Sequence, residues 1–266
     1  MSQVQKVIKY LATTFAIFII ITIFSGILSF IYGLTIIFGT EKNSDMQDIN
    51  LENVSTYLDV DLKYTNLTIE KGEFFLAKTN NSNIECIQDG NKLKIVEKNN
   101  KMFKHKNEDI IVYVPNDLKF EYVSISSNAG SVTIKNLITD SLKLDLGVGE
   151  TKIENMLSNR TKINSDVGSL TVDNSVLENL DFDMGIGEAI ITAKILGNSK
   201  IDAGIGNLDL KVQDNKENYT IESDSGIGNI KIDGNKVAED TKYGNGKNII
   251  KINGGIGNID VEFKEW

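Results

Sequence analysis

Along residues 126–266 the chain alternates aliphatic and polar residues in short runs, and the runs recur at a fixed distance. Counting columns from a glycine, the first column is Gly130, Gly149, Gly168, Gly187 and Gly206, each 19 residues from the last; Gly228 and Gly257 follow after steps of 22 and 29. Column 5 is aliphatic in every copy, as Ile134, Ile153, Val172, Ile191, Leu210, Ile232 and Val261. Column 3 is mostly apolar and the columns between are polar. Such alternation, rich in Val and Ile, is the period-2 mark of a half-buried strand. A second alternating run covers columns 13 to 19, as in Leu180, Phe182, Met184 and Ile186, and column 9 adds Ile138, Leu157, Val176 and Ile195. Three apolar patches in each repeat of about 20 residues predict three short strands per turn of a solenoid. The expected fold is all-β, a right-handed parallel β-helix with aliphatic columns stacked inside; the hand follows the general preference of parallel crossovers.

Because 19 is odd, an inward phase that is odd throughout must slip once per repeat. The slip is expected at the Gly-aliphatic-Gly segment, where a bend needs positive φ or a missing Cβ. The corner glycines are then Gly130, Gly147, Gly149, Gly168, Gly185, Gly187, Gly204, Gly206, Gly226, Gly228, Gly255 and Gly257. Asp166 stands where one first glycine is missing, and Asp tolerates the left-handed region better than most residues. Column 16 reads Asp145, Asn164, Asp183, Asp202, Asp224 and Asn253, short side chains expected to bond the backbone two residues on and hold the corner.

The repeated unit typified by DMGIGEAII and DAGIGNLDL, preceded by IIVYVPNDLKFEYVSISSNAGSVTI, resembles the bacterial "putative adhesin" β-strand-repeat family over about residues 57–266. The resemblance implies an extracytoplasmic β-helical domain of unassigned function behind an N-terminal anchor, in some cases encoded beside envelope-stress regulators. It supplies no catalytic residues.

The first part of the chain is patterned differently. Residues 11–38 contain no charge over 28 positions, long enough to cross a bilayer with some tilt. A cleaved signal peptide would have an apolar run of roughly 7–15 residues ending in small residues. Lys6 and Lys9 precede the run, so residues 1–10 are expected in the cytoplasm and the remainder outside a cell membrane crossed once. Residues 39–56 read as a linker, 57–125 as an irregular β cap or first coils, and 126–266 as the regular repeats. Segment 237–248 reads as a loop leaving one corner of the longest repeat, and Phe263 and Trp266 as a cover for the final coil.

Charge and composition narrow the function classes. The net charge of −9 becomes −11 for residues 41–266 once Lys6 and Lys9 are set aside, which excludes a basic nucleic-acid surface. One Cys, Cys86, excludes a disulfide framework, and one Arg, Arg160, leaves no arginine cluster for phosphate or carboxylate. Asp183 and Asp202 are the weak candidates for cation ligands, since stacked carboxylates offer hard oxygens. His105 stands in a Lys/Asn-rich loop without a partnering motif, and no catalytic or cofactor-binding residue is identified. The chain therefore reads as a non-catalytic binding or scaffold module. Its expected partners are the membrane through residues 11–38, a cell-wall polymer or envelope protein, and its own copies through the terminal coils. A carbohydrate-active β-helix enzyme is the remaining alternative, and it requires clustered acids on one face.

Overall fold

The computed structural model describes residues 45–51, 53–98, 108–224, 226–238 and 240–264. Residues 11–38, His105 and Trp266 lie outside the described residues. Among the described residues no helix is long and apolar enough to cross a membrane.

The repeats wind into a parallel β-solenoid whose register follows the sequence period. Leu144 lies beside Ile163, Ile163 beside Phe182, and Phe182 beside Ile201. On the next face Ile134, Ile153, Val172, Ile191 and Leu210 form one continuous column. All of these side chains are fully buried. A third, shorter ladder pairs Ile138–Thr139 with Leu157–Ser158, and that pair with Val176 and Leu177. The windings between residues 132 and 196 thus have three strands around one aliphatic core, as the three apolar patches predict, and the third ladder is confined to them among the described residues.

The alternation slips at every corner, not at one. Inward residues run Leu142, Leu144 and Leu146, then Thr151 and Ile153, then Met156 and Ser158, before Thr161 opens the next winding. The second corner carries Asn136, Asn155 and Asn174, with φ of 55°, 53° and 47°. A left-handed residue there turns the chain and moves the inward phase by one. Column 9 therefore points outward in three windings: Leu157 is 42% exposed, while Leu137 and Met156, one residue earlier, are buried. Only Ile195 is inward, because its winding has one residue fewer at that corner, opposite Val172–Ser175.

Chain order and spatial order diverge at both ends. Winding 57–72 is sandwiched between 92–115 and 122–135: Val60 has Ile95 on one side and Ile125 on the other. At the far end Gly257 lies between Gly206 and Gly228, so winding 248–263 is inserted between 198–212 and 219–232. The outermost windings are then covered by antiparallel strands. Ile84–Asp89 lies on Lys92–Glu97, and Leu76–Thr79 on Asp109–Pro115, with Gln47–Asn50 beyond it. Thr241–Gly244 lies on Tyr219–Asp224, and Asn235–Lys236 on Ile227–Ile232. The segment expected as a plain loop, 237–248, thus supplies one cover strand. Such covers close parallel edges that would otherwise template pairing with other chains. Phe263 packs on the ring of buried Tyr219, with centroids 5.4 Å apart.

Candidate functional site

The glycine corner is the most regular outward feature of the molecule. Its second glycines have φ between 128° and 157° at Gly130, Gly149, Gly168, Gly187, Gly206 and Gly257. This region is closed to L side chains. A Cβ on Gly187 would also stand 1.7 Å from the Gly168 carbonyl oxygen of the winding below. The first glycines differ: Gly147, Gly185, Gly204 and Gly255 do not have positive φ, and neither does Asp166. They are needed for space, since a Cβ on Gly185 would lie 2.2 Å from the Asp166 carbonyl oxygen. Left-handed tolerance therefore does not explain Asp166.

Between the paired glycines the side chain points out of the core. Val148, Val167, Ile186, Ile205, Ile256 and Ile227 are neighbours in that spatial order. Val148 is 41% exposed and Ile227 58%, and the four between are half-buried. Column 19 thus forms an aliphatic ridge with a glycine furrow on each side, where the period-2 reading expects an inward column. The corner itself consumes the missing phase. Hollows at the corner hold about 10 Å³ each, room for at most one water, so the ridge is an open surface.

Beside the ridge runs column 16. Four of its six side chains bond across windings: the Asn164 amide donates to Asp145 at 2.6 Å, and the Asn253 amide donates to Asp202. Lys143 and Lys200 pair with the same two aspartates. Burial works against ionisation of Asp145 and Asp202, but these ammonium and amide donors outweigh it and hold both carboxyls below the usual range. Asp183 is the register neighbour of Asp202. Asp202 is already occupied by a lysine and an amide, and among the described residues no three of His, Cys, Asp and Glu converge. Cys86, half-buried on a cover strand, has its thiol pushed up to about 11 by burial and by Glu85, which leaves it a thiol at neutral pH.

Two arrangements escaped the sequence reading. Asn136, Asn155 and Asn174 form a stacked amide ladder, with bonds of 3.0 and 2.6 Å; their 19-residue spacing was the available signal. Glu97 is a buried carboxylate that accepts the amides of Lys63, Tyr64 and Thr65 at 2.8, 3.0 and 3.2 Å, and Asn81 Nδ2 at 3.3 Å. It holds the corner of winding 57–72, directly beneath Gly130, where the glycine stack stops. Its signal was its phase, shared with inward Leu93 and Ile95.

The fold and this corner define a class: an all-β solenoid that presents a repeated outward surface. The chain belongs to the Toastrack DUF4097 family, whose model matches residues 56–247. Among solved structures it is similar to a "putative cell adhesion protein" from Clostridium sporogenes, at 15% identity over 83% of this chain and 99% of that one, with a TM-score of 0.34. It is also similar to a "putative adhesin" from Bacteroides fragilis, at 13% identity over 83% and 98% of the two chains, with a TM-score of 0.47. Comparison with curated proteins finds no match.

Proposed function

We propose that this chain is a non-catalytic, adhesin-like binding or scaffold module, held outside the cell by residues 11–38 and displayed at a bacterial envelope, with a role in envelope stress as the family resemblance implies. The observation that carries the reading is the aliphatic ridge. Six windings each turn an apolar side chain outward at the same position, exposed at the two ends and half-buried between. Core packing does not require this, and contiguous exposed apolar surface marks interaction sites. The flanking carboxylates of Asp145 and Asp202 are bonded to lysines and amides, which suits a fixed surface better than acid–base chemistry. A partner of this ridge is an envelope protein or wall polymer with an extended apolar strip.

Replacing Ile186 and Ile205 with Asn tests this. The double variant is expected to keep the wild-type unfolding midpoint and to lose cross-linked partners, or sedimentation with isolated wall, in intact cells. Unchanged capture with unchanged stability would remove the ridge from the binding surface. End-to-end growth through parallel terminal coils is disfavoured, because antiparallel strands cover both outermost windings.

A further inference from the structure

Winding 248–263 follows 219–232 in the chain but precedes it in space. It is the sole parallel link between 198–212 and the outermost winding among the described residues: Lys251 pairs with Lys200 on one side and Glu222 on the other, and Ile256 with Ile205 and Ile227. We propose that this winding is an exchangeable strand, and that the slot it fills accepts the same segment from a second copy of this chain.

Three features support exchange. The windings on either side of the slot and the one inside it carry nearly the same corner: GIGNLDL at 204–210, GIGNIKI at 226–232 and GIGNIDV at 255–261. When 248–263 leaves, 219–232 can close onto 198–212 with glycine on glycine, Asn229 on Asn207 and Ile230 on Leu208. One layer of ladder bonds is then lost, together with the cover contacts of Asn235–Lys236 and Thr241–Gly244 that the departing connection draws away. Two packings built from the same contacts differ by little, and elements of this kind are bistable.

The connection also suits a hinge. Segment 233–247 carries turns around its two short cover strands, with φ of 47° at Asp233, 75° at Gly234, 54° at Asp240 and 77° at Gly244. Extended at about 3.3 Å per residue it reaches on the order of 50 Å, enough to carry the winding to a neighbouring molecule. Finally, the slot is specific. Gly255 and Gly257 are required there, since a Cβ on either would lie 1.8 or 1.6 Å from a carbonyl oxygen of the winding below. The segment that satisfies this demand and the aliphatic columns together is another copy's 248–263, which makes strand exchange of the domain-swapping kind the low-cost route. This inference stands apart from the binding role of the ridge, and failure to find an envelope ligand would leave it intact.

The test uses the full-length chain in detergent with Cys86→Ser as background. Lys200→Cys and Lys251→Cys are prepared as separate proteins, mixed, incubated and then oxidised. Exchange predicts a disulfide-linked dimer containing one of each chain, accumulating with incubation time and suppressed by excess background protein. Dyes on the same two cysteines should show energy transfer that grows in parallel. A single chain carrying both cysteines should close as a monomer at once, since adjacent parallel strands are about 4.8 Å apart. A mixture with neither dimer nor energy transfer, beside a double variant that closes normally, overturns the proposal. A double variant that does not close overturns it too, because the register that defines the slot is then wrong.

Discussion

Glu97 shows how one side chain can replace a repeated device. Every winding from Gly130 onward turns its first corner on stacked glycine, but winding 57–72 turns on Lys63–Tyr64–Thr65, whose three amides converge on one buried carboxylate. Glu97→Ala would strand those donors and is expected to cost about 3 kcal/mol or more; Glu97→Gln, which keeps an acceptor, should cost less. Urea denaturation with an unchanged slope would read both. Gly187→Ala should be among the most damaging substitutions, because positive φ and contact with the Gly168 carbonyl act together, at roughly 3 kcal/mol or more. For Asp202 the folded carboxyl titrates below its unfolded value. Its contribution is present above the unfolded pKa of about 3.9 and is lost as pH falls through the folded pKa. Asp202→Asn should therefore flatten the acid limb of stability against pH, by less than about 1 kcal/mol, since the pair is a third or more exposed. An unaltered acid limb would count against the Lys200 pairing.

At the level of the strand and its corner, the 19-residue period and column 5 were legible because each inward aliphatic side chain sits directly on its counterpart. Columns 9 and 19 were misread for one reason. Period-2 counting carries a phase through a corner, and each corner resets it: the Asn136, Asn155 and Asn174 turn displaces column 9, and the glycine corner displaces column 19. Glycine spacing marks that a corner exists and leaves open how many residues it absorbs. Asn155 gives the test of that reset. Asn155→Ala removes two links of the amide ladder from a left-handed position, and a loss of about 1–2 kcal/mol in thermal unfolding is expected, with Asn155→Gly milder. Equal tolerance of both would mean that the ladder contributes nothing.

For the molecule as a whole, the fold class could be inferred from periodicity, but the order of the end windings could not. Three near-identical GIGN corners fit next to one another equally well in any order, so the sequence is degenerate where the topology is decided. The longer step of 29 residues before Gly257 was the visible trace, since the chain must pass out to the far winding and return. The same holds at the other end, where 92–115 lies outside 57–72. A consequence is that winding 219–232 is attached to the rest through 248–263. A chain ending at residue 247 should keep amide-exchange protection over 219–232 as well as over 142–196, because 219–232 closes onto 198–212; protection lost over 219–232 alone would show that it does not close.

With column 5 inside and column 19 outside, an ordinary solenoid becomes one with an apolar ridge. The most direct measurement compares the thermal unfolding of Ile186→Asp and Ile191→Asp, five residues apart in one winding. Ile191 is fully buried, and a charge there should abolish cooperative folding; Ile186 stands on the ridge, and its variant should melt within a few degrees of wild type. If both variants unfold the chain alike, or Ile186→Asp is the worse, the ridge does not exist.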